Sequence, residues 1–226
     1  MGWTLPPDGR RIGLLGKGGA GKSTTLAHLL GHWVAEGVDV IGIDMDRPGD
    51  DESGSLYAWA ELADLGAPVY PAPAHTRLAA EVRRLTPAGG LAALDTGAWE
   101  RKAGGPHFAV LSAVDLAVLM LQPTDMDVER AGSVLAAIDH LDEVGAPAPD
   151  LVIVLSMVNR SAASPADTRQ ALADAGYTVL ATEIPRSDAR DGYGQSFGKR
   201  PRLAAGSPMQ LLARELLAHI TPEDGR

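Results

Sequence analysis

Gly16-Lys17-Gly18-Gly19-Ala20-Gly21-Lys22-Ser23-Thr24 is the stretch on which the fold turns. It fits G-x-x-x-x-G-K-[ST], a loop whose glycines let the backbone curl until several N–H groups face inward as an anion nest. Lys22 adds a compact, mobile ammonium that can follow the β- and γ-phosphates of a nucleotide, which a rigid guanidinium fork cannot do in so tight a loop. Ser23 offers a hydroxyl to Mg²⁺, and a helix starting here aims its positive dipole end at the phosphates. Only four lysines occur against sixteen arginines, yet two of the four lie in this loop. Arg11–Leu15 before it reads as a buried strand and Thr24–Glu36 after it as a helix. A nucleotide-binding site is expected here.

Outward from the loop, short apolar runs alternate with helical patterns. Candidate strands are Arg11–Leu15, Val38–Asp44, Pro68–Tyr70, Leu91–Asp95, Val114–Leu121, Leu151–Met157 and Thr178–Ile184. Candidate helices are Ser23–Glu36, Ser55–Leu65, Thr76–Leu85, Asp125–Val144, Ser164–Ala175 and Pro208–Ile220. Near-continuous apolar strands between helices predict an α/β fold, a doubly wound, mostly parallel sheet with helices on both faces. No repeat or linker divides the chain, so residues 1–226 are expected to form one domain, with flexible ends at 1–9 and 221–226.

Composition narrows the chemistry. The chain has no cysteine, which excludes disulfides, thiolate metal sites, iron–sulfur clusters and cysteine nucleophiles. No signal-peptide run opens it, and its most hydrophobic stretch, Phe108–Leu121, is interrupted by Asp115 and too short to span a bilayer. A cytoplasmic protein is expected. The formal net charge of −9 disfavours polyanion binding by the whole surface but leaves room for a local basic patch.

Three acids fall at carboxyl ends of predicted strands, where ligands sit in doubly wound sheets. Asp44 ends the second strand, Asp46 lies just beyond, and Asp95 ends the fourth. A Mg²⁺–nucleotide site needs a carboxylate on the metal side and a polar group to orient attacking water. Asp95 suits the first role and Asp46 the second. Lys17 is not required by a standard phosphate loop. Expected to point away from its own core beside the terminal phosphates, it can reach a nucleotide held by a second subunit across a two-fold axis.

Lys17-Gly18-Gly19-Ala20-Gly21-Lys22-Ser23-Thr24 resembles the deviant Walker A motif of the ParA/MinD ATPases. Ile41-Gly42-Ile43-Asp44-Met45-Asp46 resembles their D-x-D, and Ala93-Leu94-Asp95-Thr96 their Walker B strand. Leu121-Gln122-Pro123-Thr124, Ile184-Pro185-Arg186-Ser187 and Ser55-Leu56-Tyr57-Ala58-Trp59-Ala60 are similar to segments of small plasmid ParA proteins. The resemblance covers roughly residues 10 to 215. It implies ATP and Mg²⁺ as cofactors, with Lys22 and the amides of Gly18 to Thr24 holding phosphates. Ser23 and Asp95 would serve the metal with Asp44 in support, and Asp46 would order water. Lys17 would act across an ATP sandwich homodimer, and Asn159, Pro185 and Arg186 would flank the adenine. Two segments depart from the pattern: Arg47-Pro48-Gly49 follows the D-x-D, and Gly97-Ala98-Trp99 follows Asp95-Thr96, with the tryptophan unusual there.

The densest positive segment holds Arg186, Arg190, Lys199, Arg200 and Arg202. ParA relatives use this region for DNA, so Arg190, Lys199, Arg200 and Arg202 are candidate non-specific DNA contacts. The resemblance further implies a nucleoid-associated ATP-bound state, a ParB-like centromere-binding partner and slow, partner-stimulated hydrolysis. The rival is a MinD-like or other ParA-fold positioning ATPase for a membrane or protein-cluster cargo. The last helix pairs Arg214 with Glu215 ahead of an acidic tail, so no stable membrane association is expected; it should pack on the protein. Asp95-Thr96-Gly97 also suits an aspartic protease turn, but that fold needs two copies in an all-β context. Gly16, Gly18 and Gly21 fit G-x-G-x-x-G too, yet Lys22 and Ser23 favour a triphosphate over NAD. His28 and His32, one helical turn apart, are expected on the solvated face of their helix rather than on a metal.

Overall fold

In the computed structural model, residues 2–45, 55–72, 77–99, 105–159, 164–187, 189 and 192–221 are described. The strands are β1 (Arg10–Leu15), β2 (Val40–Asp44), β3 (Val69–Pro71), β4 (Leu91–Asp95), β5 (Leu116–Leu121) and β6 (Asp150–Leu155). The helices are α1 (Lys22–Ala35), α2 (Ser55–Leu62), α3 (Leu78–Leu85), α4 (Gly105–Leu111), α5 (Asp125–Glu143), α6 (Ser164–Asp174) and α7 (Pro208–Ile220). The strands form one parallel sheet in the order β3-β2-β4-β1-β5-β6. Consecutive strands β1 and β2 are separated by β4, so connections run to both sides of β1, and the crevice for a ligand opens beyond its carboxyl end.

Strand side chains alternate between two cores. On β5, Leu116, Val118 and Met120 face the core beneath α1, α2 and α7, while Ala117, Leu119 and Leu121 face the one beneath α3, α4, α5 and α6. This is the doubly wound architecture the apolar runs predict. The stretch Phe108–Leu121 is broken into the end of α4, a turn and β5. Asp115 in that turn accepts hydrogen bonds from the Arg11 backbone amide (2.7 Å) and guanidinium (2.8 and 3.1 Å), pinning the start of β1. Among the described residues no helix is long and apolar enough to cross a membrane.

Three expectations need correction. Thr178–Ile184 is not a regular strand; it meets β6 through one isolated bridge, Ile153 to Val179, and through a hydrogen bond from the Ile184 amide to the Leu155 carbonyl (2.9 Å), with a second bridge, Val158 to Pro185, just beyond both. In the middle of the segment side chains take over: Arg169 donates to the Leu180 carbonyl (2.6 Å), and Glu215 accepts from the Ala181 and Thr182 amides (2.6 and 3.0 Å). The second concerns His28 and His32, which are buried, at 4% and 2% exposure, not solvated. Both α2 and α7 lie against α1, so most of its circumference is covered and a one-stripe reading of its apolar residues fails. The third is α4, which was not foreseen; its Gly-Pro start and short length leave little helical periodicity. The last helix does pack on the protein: Met209, Leu212, Leu216, Leu217 and Ile220 are buried, and the Trp33 indole N–H of α1 donates to the Ala213 carbonyl (3.0 Å).

Candidate nucleotide-binding site

The phosphate loop leaves β1 and enters α1, as the sequence predicts, and the left-handed turn at Gly21 (φ 86°) delivers it to the helix. Gly16 is the tightest point. At φ 149° a Cβ would stand 2.7 Å from the Met120 carbonyl oxygen on β5, so only glycine lets the loop pass the sheet here. Lys22 is 6% exposed, and its ammonium donates to the Gly16 (3.2 Å) and Lys17 (3.1 Å) carbonyls, folded over the loop it belongs to. Ser23 and Thr24 follow in the first turn of α1, both half-buried, and Gly18 and Gly19 form the exposed crest with Ala20 buried behind them.

Lys17 behaves differently from expectation. Its ammonium turns back onto its own subunit and meets the Asp127 carboxylate at 2.8 Å. Asp127, in the first turn of α5, is 1% exposed and also accepts from the Gln122 backbone amide (3.2 Å). A carboxylate at a helix N-terminus is favoured by the dipole, which makes it a ready counter-ion for the lysine. Gln122 closes a second tie, donating from its side chain to the Gly19 carbonyl (3.3 Å). Trp99, unusual in sequence, is a third: its backbone amide donates to the Gly16 carbonyl (2.8 Å) and its buried indole to the Ser133 hydroxyl on α5 (3.1 Å). Asp127, Gln122 and Trp99 were not foreseen as site residues. Trp99 shows in the sequence only as an oddity and Gln122 only within the Leu121–Thr124 resemblance, because the contacts that tie them and Asp127 to the phosphate loop join segments far apart in the chain.

Asp44 and Asp95 stand side by side, paired in register at the carboxyl ends of β2 and β4. Both are buried, at 1% and 0% exposure. Thr96 fastens the end of β4 to β1 through its hydroxyl, which donates to the Leu14 carbonyl (2.6 Å). Asp44 accepts from the Tyr57 backbone amide in the first turn of α2 (2.6 Å). Ser23, Asp44 and Asp95 offer only oxygen donors, the chemistry that suits a hard divalent cation such as Mg²⁺ and not a soft one. Asp46 lies outside the described residues.

Asn159, Pro185 and Arg186 are brought together by the bridge between Val158 and Pro185, with the Arg186 amide donating to the Val158 carbonyl (3.0 Å). Beside them a cavity of about 60 Å³ is lined by Gly21, Thr24, Met157, Pro185 and Tyr193. Met157 holds a left-handed backbone (φ 52°), a strained state for a side-chain-bearing residue of the kind that concentrates at functional sites. Lys199, Arg200 and Arg202 lie on an exposed segment lining a groove of about 550 Å³, which His28 also lines and which shares Pro185 and Tyr193 with that cavity. Arg190 lies outside the described residues.

Burial lowers the His28 pKa from the usual 6.5, opposed by the hydrogen bond between its Nδ1 and the Thr24 carbonyl (2.8 Å). Since a carbonyl only accepts, Nδ1 carries the proton. Burial also lowers the His32 pKa, with help from His28 and Arg214 and against Glu36.

A glycine-rich loop between a central parallel strand and a helix, with a buried lysine over it and two buried aspartates at neighbouring strand ends, defines a P-loop nucleotide-binding protein. Residues 14–193 match the CobQ/CobB/MinD/ParA nucleotide-binding domain, and the chain belongs to that family. Cobyrinic acid a,c-diamide synthase from Mycobacterium smegmatis, solved with ADP and magnesium, is similar at 20% identity and a TM-score of 0.67, covering 94% of this chain and 98% of that one. The cell division ATPase MinD of Pyrococcus furiosus gives 17% and 0.66, covering 93% and 99%. A ParA family ATPase from Chlorobium tepidum TLS gives 18% and 0.61, covering 94% and 99%. At such identities the likeness is one of fold. No curated protein sequence matches the chain.

Proposed function

We propose that the chain is a ParA-type ATPase with a deviant Walker A loop, acting in plasmid or chromosome segregation as a single domain. ATP binding closes a sandwich homodimer, the dimer holds DNA without sequence preference, and a ParB-like centromere-binding partner stimulates slow hydrolysis that releases it. Such a protein is cytoplasmic and nucleoid-associated while ATP is bound.

The observation that carries this reading is the second loop lysine. Lys17 is fixed at the rim of the phosphate loop, 27% exposed, on a buried carboxylate rather than free in solvent. A charge held there is poised to exchange Asp127 for a phosphate presented by a second copy.

Within one protomer, Lys22 and the amides of residues 18–24 hold the phosphates. Ser23 and Asp95 hold the metal side, with Asp44 in support, and Asp46 orients water. Bound Mg²⁺ supplies neutralisation of charge on the phosphate oxygens. Asn159, Pro185 and Arg186 flank the base. Lys199, Arg200 and Arg202, with Arg190, supply phosphate contacts to DNA, doubled in the dimer. The membrane variant of the rival function is disfavoured because most apolar residues of α7, Leu211 apart, are buried in the core shared with α1.

Retention on a DNA column at low salt, with and without a slowly hydrolysed ATP analogue and Mg²⁺, is the direct test. Retention only with the analogue is expected. Equal retention in both conditions, or none in either, removes the segregation reading, and sedimentation with anionic vesicles instead would establish the membrane rival.

A further inference from the structure

The basic segment is mounted on α2, and α2 is mounted on Asp44, the aspartate proposed to support the metal. Three contacts and one close backbone approach make the first attachment. The Trp59 indole N–H donates to the Lys199 carbonyl at 2.8 Å. The Trp59 and Phe197 rings lie 5.5 Å apart. Arg200 meets Asp64, just past α2, at 3.5 Å. A Cβ on Gly198 would come within 3.3 Å of Leu62. The second attachment is the Asp44 carboxylate, which accepts the Tyr57 amide at 2.6 Å.

These attachments are close together on a small body. Tyr57 and Trp59 are two residues apart on a helix of eight residues that buries only Leu56 and Trp59. With so few apolar anchors, the position of α2 is set by what holds its ends. A carboxylate has room for several hydrogen bonds, so Asp44 can serve the water shell of a divalent cation while keeping the Tyr57 amide. Fixing the carboxylate then fixes the start of α2. His28 adds a further support from α1, edge-on to both Trp59 (5.9 Å) and Tyr193 (5.1 Å), so the nucleotide-side helix braces the same cluster.

We propose that α2 is the lever by which nucleotide and metal control the Lys199–Arg202 segment, and that Trp59 is the positioning residue that transmits its movement. Occupancy at Asp44 steadies α2, and the indole N–H carries that order to the backbone of Lys199, presenting Lys199, Arg200 and Arg202 in one arrangement. The lever rests on the proposed roles of Asp44 and of the basic segment. Its thermodynamics are reciprocal: if nucleotide tightens binding of an anionic ligand at the segment, that ligand must tighten nucleotide binding by the same factor.

Trp59→Phe removes the N–H donor and keeps an aromatic ring, at the cost of a small cavity where the larger indole was buried. Tyr57→Pro removes the amide donor at a first-turn position where the helix itself does not need it. Hydrogen exchange at the Gln195, Ser196 and Lys199 amides, all backbone-bonded, reads the segment without any DNA. In the wild type a slowly hydrolysed ATP analogue with Mg²⁺ should slow their exchange by about fivefold, the worth of one hydrogen bond. Either variant should bind the analogue within about twofold of wild type yet lose that slowing. With a DNA duplex of arbitrary sequence, the same variants should lose the ratio of affinities with and without analogue, and lose the reciprocal effect on analogue affinity. Slowing in wild type and both variants alike, or in none of them, overturns the lever. Slowing confined to the wild type while no protein binds DNA upholds the lever and overturns only the DNA assignment. Should Trp59→Phe fail to fold, the Tyr57→Pro result decides.

Discussion

Lys17 and Asp127 form an ion pair of 2.8 Å between the phosphate loop and the first turn of α5, with the acid side chain 1% exposed. The lysine that the proposed dimer requires is thus occupied within its own subunit before a partner arrives. If the sandwich forms as proposed, Lys17→Ala abolishes ATP-dependent dimerisation while Lys22→Ala abolishes nucleotide binding or turnover. Light scattering with a slowly hydrolysed analogue checks the first, and equal dimer formation by the Lys17 variant would sink the trans-acting role.

Asp127 competes with a partner's phosphate for the same ammonium. Weakening that competition with Asp127→Asn should let dimers form at a protein concentration lower by about tenfold or more, the equivalent of one charge-assisted hydrogen bond. The cost is a less stable monomer, by about 1–3 kcal/mol. Analytical ultracentrifugation across a protein dilution series reads the first effect and thermal unfolding the second.

Gly16→Ala places a methyl 2.7 Å from the Met120 carbonyl in a backbone region closed to alanine. The loop must shift or the strand must yield. A loss of about 1–3 kcal/mol in stability is expected, together with loss of nucleotide binding. Calorimetric titration with ATP and Mg²⁺ checks it; a variant that binds like wild type would show that the loop tolerates the displacement.

Stability should depend on pH through α1. Burial favours the neutral forms of His28 and His32, so their folded pKa values lie below the usual 6.5. The unfolded chain therefore binds more protons as acidity rises, and the stabilisation present above 6.5 is lost as pH falls through the folded values. Glu36 and Arg214, which face His32, are themselves paired at 2.7 Å and pull its pKa in opposite directions. The thermal midpoint should fall from pH 7.5 toward about pH 5 in the wild type, and fall less in His28→Gln. An identical pH profile for that variant would exclude His28 from the effect.

Arg200→Ala with Arg202→Ala should weaken DNA retention and reduce the slope of log affinity against log salt by about two per protomer. ATP affinity should not change. An unaltered salt slope would place the DNA contacts elsewhere.

Much of the fold is written locally. The phosphate loop, β4 and α7 stand where the sequence predicts them, and the other strands and helices foreseen deviate mainly at their ends, apart from Thr178–Ile184. Period-two and helical apolar patterns are imposed by which face is buried, and a glycine loop before a lysine has few structural meanings. Asp44 and Asp95 were legible as strand-end acids for the same reason.

Contacts between distant segments were not legible. A fourteen-residue helix shows its apolar stripe, but whether a second and third helix cover its other faces depends on topology, and so His28 and His32 were misplaced. Thr178–Ile184 has strand-like composition and bonds β6 at its ends, yet Arg169 and Glu215 satisfy the middle of its backbone from two other helices. Sequence alone determined a P-loop nucleotide site on a doubly wound sheet, because those signals are short-range and periodic. Tertiary structure alone decided that Lys17 rests on Asp127, that Trp99 braces Gly16, and that Trp59 carries the Lys199 segment. An ion pair or a hydrogen bond is a property of distance, and the chain brings those partners together only once the sheet has ordered its strands.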